Sequence, residues 1–142
     1  MNTTIRNILF TLVALIMLPA CTRNNGDIGP WFGAWKVESI TVDGTARSDY
    51  QGNLFMLFQS TVVKFSLSQE HHESTDVFGN WEQTGSNMHF SFPDARLQPQ
   101  AVTGLPAESD LTVSGPSSGR ATLTWTNPAN GQVTVFQLKK WT

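Results

Sequence analysis

From Trp31 onward, apolar and polar residues alternate in short runs separated by turn residues, which is the period of half-buried β-strands. Residues 31–42 contain Gly33-Ala34-Trp35 and predict a first strand. On it Trp35, Val37, Ser39 and Thr41 share one face, and Lys36, Glu38 and Ile40 the other. The charged pair marks the solvent side, so Trp35 is expected inside. Asp43-Gly44 is a turn signal and residues 45–52 read as a polar loop. A second strand over residues 53–59 is apolar on both faces through Leu54, Phe55, Met56, Leu57 and Phe58. Such a strand calls for a cover or a partner on its outer side. In the third, over residues 61–68, Val63, Phe65 and Leu67 alternate with Lys64 and Ser66. The fourth, over residues 76–84, carries Phe78 and Trp81 around Gly79, a glycine expected to mark a bulge or a barrel bend. The fifth, over residues 87–92, turns Met88, Phe90 and Phe92 inward and Asn87, His89 and Ser91 outward.

Residues 94–109 fit neither the strand nor the helix period and contain Pro99, Gly104 and Pro106. This longest connection is expected to form a lid or loop over a barrel mouth. Three strands follow, over residues 110–114, 120–126 and 131–140, with Leu111, Val113, Ala121, Leu123 and Trp125 inward. The Gly/Pro/Asn-rich segments 115–119 and 127–131 join them as hairpin turns. About eight evenly spaced strands, with no helical segment between them, predict an all-β fold: an antiparallel up-and-down β-barrel, closed or nearly so.

The residues before Trp31 follow another logic. Ile8 to Leu18 is an apolar run broken only by Thr11, preceded by Arg6; it is too short to cross a bilayer, which takes about 20 apolar residues. It has the form of a secretory signal peptide over residues 1–20. The run ends in Leu18-Pro19-Ala20-Cys21, which resembles a bacterial lipobox, so Cys21 is expected to become a lipidated N-terminus. Cys21 is also the only cysteine; no intramolecular disulfide can form, and lipidation accounts for a lone thiol in an oxidising envelope. Residues 21–30 then read as a tether and residues 31–142 as one domain with a real core. Thr22 follows Cys21 where an Asp would suggest inner-membrane retention. The expected location is therefore the outer membrane, with the periplasmic and surface faces both open.

Charge narrows the partners. The formal net charge is −2, and processing removes one Arg and no acid. There is no basic run in the sequence, which argues against nucleic acid. Charged residues make up only 14% of a chain with five Trp and nine Phe, a composition that folds.

The Gly33-Ala34-Trp35 opening, the lipobox Cys21, the mid-chain Phe78-Gly79-Asn80-Trp81 and the closing Phe136-Gln137-Leu138-Lys139-Lys140-Trp141 occur in one order along nearly the whole mature chain. In that order they resemble the lipocalin-like lipoproteins of the Bacteroidetes. The resemblance implies a small calycin-type barrel, exported and lipid-anchored, in a family mostly without an established activity. It also implies that Trp35 packs at the closed end under a basic side chain of the last strand, Lys139 or Lys140 here where lipocalins usually have Arg.

Candidate chemistry is sparse. His71, His72 and Glu73 with Asp76 form the one cluster suggestive of a metal, but adjacent residues on a strand face opposite ways, so a solvated loop is the expected reading. No Gly-x-Ser-x-Gly or His-Glu-x-x-His motif occurs, and the expectation is a protein that is not an enzyme and uses no cofactor. Trp35, Phe65, Trp81, Met88, Phe90, Leu123 and Trp125 are expected inside. In a barrel wide enough to hold a ligand they would line an apolar pocket for a hydrophobic small molecule or lipid. The alternative is an interaction module with a filled core, docking a protein or glycan through its loops or through the two-sided strand at Leu54 to Phe58.

Overall fold

The computed structural model describes residues 29–94 and 99–141, together with Thr3, Thr4 and Asn7. It separates into Met1–Pro30 and Trp31–Thr142. The expected signal run, Cys21 and most of the tether lie outside the described residues. Among the described residues no helix is long and apolar enough to cross a membrane.

The strands are β1 (Gly33–Val42), β2 (Thr45–Ala46), β3 (Leu54–Gln59), β4 (Val62–Ser68), β5 (Ser74–Thr84), β6 (Asn87–Ser91), β7 (Glu108–Ser117), β8 (Arg120–Thr126) and β9 (Val133–Lys140). Apart from the two-residue spur β2, which pairs only with β1, each strand pairs antiparallel with the next, and β9 returns to β1. Eight strands thus close an up-and-down barrel, which removes the exposed edges an open sheet would carry.

A bulge in β1 decides which residues face inward. The pairing with β9 shifts register between Val37 and Ser39, Val37 meeting Leu138 and Ser39 meeting Gln137, so Glu38 is the extra residue. The bulge inverts the alternation beyond it. Ile40, expected on the solvent face, is buried, while Ser39 and Thr41, expected inside, are only half-buried. Gly79 also departs from expectation. No register shift occurs there; instead a Cβ at Gly79 would lie 2.5 Å from the Ser91 carbonyl oxygen and 2.6 Å from the Phe92 ring. The missing side chain makes room for Phe92.

Inside, Trp35, Met56, Phe65 and Val77 stand in register across β1, β3, β4 and β5, and Ile40, Phe136, Leu123 and Val113 across β1, β9, β8 and β7. Each large side chain buried this way contributes roughly 1.5–3 kcal/mol. One end of the barrel is closed by short turns and aromatic rings. Trp31 packs 5.2 Å from Trp35 and 5.1 Å from Phe58, and Phe58 meets Trp81 edge-on at 5.0 Å. Both buried indole N–H groups of the Trp31–Trp35 pair are used: Trp35 Nε1 donates to the Trp31 carbonyl and Trp31 Nε1 to Gln83 Oε1, each at 2.9 Å. Of the two candidate lysines it is Lys140 whose Nζ lies over the Trp35 ring, 5.0 Å from its centre, and burial lowers its pKa. The other end carries the longer connections 43–53, 69–73, 92–107 and 127–132.

Candidate functional site

The interior is filled. Trp35, Phe65, Met88, Phe90 and Leu123 are 0–1% exposed, and Phe65 meets Phe90 edge-on at 5.1 Å and Phe92 at 4.9 Å. The two remaining residues expected around a pocket sit at opposite ends, both half-buried. Trp81 borders a shallow depression of about 390 Å³ beside Asn80 and His89. Trp125 lines a cleft at the open end. The structure therefore gathers five of the seven into the core and parts the other two.

The open end is built around a helix. α1 (Pro99–Thr103) lies within the long connection and packs against β4 and β5. Val102 and Leu105 join the core and Thr103 is fully buried. The expectation of no helix between strands was overridden by local signals present in the sequence: proline suits the first helical position, and Gly104, at φ +84°, suits the residue just past the end. Thr103 Oγ1 donates to the Pro99 carbonyl at 2.8 Å and accepts from the Leu105 N–H at 3.0 Å, so its buried hydroxyl is satisfied and closes the turn.

Two side chains from the 43–53 connection hold this end together, and neither stood out in the sequence. Arg47 Nη1 donates to the Thr103 carbonyl at 3.3 Å, while its Nε and Nη2 grip the Asp49 carboxylate at 3.1 and 3.0 Å. The guanidinium holds the Asp49 carboxyl below its ordinary pKa and is itself raised by that hydrogen bond. Tyr50 occupies the place where β1 and β3 part. Their pairing ends at Lys36 and Phe55; at the next pair the Tyr50 hydroxyl donates to the Val37 carbonyl and accepts from the Leu54 N–H at 3.2 Å. One hydroxyl thus satisfies two backbone groups left over by the separating strands. Burial raises the Tyr50 pKa.

Open clefts lie on both sides of α1 and share Arg47. One, of about 560 Å³, runs between Tyr50, Asn53, Leu67, Glu70 and Val102. The other, of about 470 Å³, runs between Val42, Thr103, Trp125, Pro128 and Gln132. The first is lined mostly by polar and charged side chains, with Leu67 and Val102 among its few apolar ones, and the second sets Val42, Trp125 and Pro128 beside polar groups.

His71 and His72 form an exposed 3-10 turn with Glu70, at φ 59° and 63°. Among the described residues no group of three or more His, Cys, Asp or Glu is placed to hold a metal. His89, turned outward as expected, is clamped on the outer wall: Nδ1 lies 2.9 Å from Asp110 and Nε2 3.0 Å from Glu108. Asn87 donates to the same Asp110 oxygen and Ser91 to Glu108. The hydrogen bond between the His89 N–H and the Asp110 carboxylate is the main reason the His89 pKa is raised and the Asp110 pKa lowered.

Known structures share this architecture. The crystal structure of a lipocalin-like protein from Bacteroides uniformis matches with a TM-score of 0.64 at 19% identity, over 80% of this chain and 100% of that one. An uncharacterised protein from Bacteroides eggerthii matches with a TM-score of 0.63 at 12% identity, over 78% of this chain and 99% of that one. No family model and no curated protein matches the chain. At these identities the likeness concerns the fold, and the fold is lipocalin-like.

Proposed function

We propose, from its lipocalin-like barrel, that the chain is a lipid-anchored envelope protein that binds a hydrophobic small molecule or lipid and catalyses nothing. The observation that carries the reading is the pair of clefts beside α1, which share Arg47 at the open end of a barrel whose interior is packed solid. Their volumes fall within the range of small-molecule sites. The apolar part of the ligand would lie against Trp125 and Val42, and its polar part toward Arg47 and Gln132. Cys21 after Leu18-Pro19-Ala20 would supply the anchor, and two or three acyl chains hold where one is marginal. Thr22 supports the outer membrane as the destination.

Native mass spectrometry of the barrel before and after incubation with an envelope lipid and metabolite extract tests this reading. The expected result is an adduct of defined mass, weakened about tenfold by Trp125→Ala, which equals about 1.4 kcal/mol. A folded barrel that takes up nothing, or an adduct indifferent to Trp125→Ala, overturns the site.

A further inference from the structure

The outer wall of β8, β9, β1, β3, β4 and β5 carries side chains that the barrel's own stability does not call for. Arg120, Lys139 and Lys36 stand directly opposite one another on β8, β9 and β1. Like charges in register across strands are destabilising. Among the described residues only Arg120 of the three has a carboxylate partner, Glu38. The same row continues into Phe55 on β3 and, beyond it, Ser66 on β4 and Asp76 on β5; Trp141, 57% exposed, lies edge-on to the Phe55 ring at 5.6 Å with Lys36 Nζ 5.4 Å from the Trp141 centre. One row away, Leu57 leads to Lys64 and then to Phe78, which is 53% exposed with Lys64 Nζ 5.8 Å from its ring. The neighbouring wall has the opposite character: Glu82, Glu108 and Asp110 surround His89 on β5, β6 and β7. Cations and an exposed ring thus gather on the wall of β8, β9, β1 and β3, with Glu38 the carboxylate among them, while carboxylates gather around His89.

The wall of β8, β9, β1 and β3 lies beside the place where the N-terminal segment enters the domain. Trp141 N–H donates to the Ala34 carbonyl at 2.8 Å, and Lys140 Nζ donates to the Phe32 carbonyl, so the last residues of the barrel run alongside its first. Nine residues separate Cys21 from Trp31, a reach of at most about 35 Å over the ten steps. A domain tethered so closely meets the bilayer surface repeatedly, and the side it presents decides whether it stays. Exposed aromatic rings flanked by lysines are the chemistry of the headgroup layer, where rings sit at the boundary and ammonium groups reach the phosphates.

We infer that the wall from Arg120 through Lys139 and Lys36 to Trp141 on Phe55 seats the barrel on the anionic headgroup layer of the bilayer that holds its anchor. The inference rests on the anchoring proposed above. An anionic surface relieves the repulsion along Arg120, Lys139 and Lys36 and covers the ring of Trp141. The clefts beside α1, at the open end, stay in the aqueous phase.

The lipidated full chain, reconstituted in vesicles of phosphatidylethanolamine and phosphatidylglycerol with brominated acyl chains, provides the test. Brominated lipid is expected to quench part of the tryptophan emission. Trp141→Phe should remove most of that quenching, and so should Lys36→Glu combined with Lys139→Glu, with the far-ultraviolet circular dichroism unchanged. A chain that floats with the vesicles but shows no quenching, or quenching indifferent to these variants, keeps its anchor and overturns the seat, leaving the wall to a protein partner. A chain that does not float at all overturns both the anchor and the seat.

Discussion

The hydroxyl of Tyr50 stands in for one rung of the β1–β3 ladder, and its removal isolates what that rung is worth. In Tyr50→Phe the ring keeps its place while the Val37 carbonyl and the Leu54 N–H, both on fully buried residues, lose their partner. Leaving a buried backbone group unpaired costs roughly 1–3 kcal/mol. The urea midpoint should therefore fall by an amount worth that much, with the slope of the transition unchanged; an unaltered midpoint would show that water replaces the hydroxyl. Nothing in the sequence marks Tyr50 for this task. Hydrophobic alternation reports which face a residue takes, whereas Tyr50 acts where two strands separate, a feature of barrel shape. Arg47 was illegible for the same reason: its partner is a carbonyl 56 positions away. Gly79 was visible as an interruption, yet its cause, the ring of Phe92 on the neighbouring segment, belongs to packing between segments.

Among the elements, β3 to β9 could be read within a few residues because period two and turn chemistry agreed at almost every break. β1 was the exception, and the disagreement was already in its residues: an isolated Ile40 on the polar face and Ser39 and Thr41 on the apolar one are what a one-residue bulge at Glu38 produces. Part of the apolar outer face of β3 also has its explanation, since Trp141 packs edge-on against Phe55. The clamp joining β6 to β7 leads to a pH dependence. His89 has its pKa raised above the ordinary 6.5, so its contribution is complete below that value and fades as pH rises through the folded pKa. Asp110 has its pKa lowered from 3.8, so its contribution is complete above that value and fades as pH falls through the folded pKa. The clamp is thus strongest between the two ordinary values, with Glu82 directly opposite on β5 adding a further negative group. Replacing His89 by Gln should lower the urea midpoint most near pH 5 and progressively less toward pH 8. A difference independent of pH would mean that His89 acts by packing alone.

For the whole molecule, the distribution of features over the barrel matters more than any single one. The chain enters at the end closed by Trp31 and Trp35, the wall from Arg120 to Trp141 adjoins it, and the clefts with α1 occupy the far end. On the proposed reading that order has an advantage: ligand exchange at the mouth would not compete with membrane contact at the other end. The order makes an orientation measurable. If Cys21 is lipidated the chain has no other thiol, so a single cysteine can be introduced at each end: Ala129→Cys in the open-end turn and Thr61→Cys in the turn between β3 and β4. Both sites are exposed. In detergent a bulky, membrane-impermeant maleimide should label the two at similar rates. On phosphatidylglycerol-containing vesicles Thr61→Cys should slow several-fold while Ala129→Cys keeps its rate, because a charged surface and a seated wall exclude the reagent from one end only. Equal rates on vesicles would mean that the barrel swings freely on its tether, and slowing at Ala129→Cys instead would turn the mouth toward the lipid and make the bilayer itself the source of the ligand.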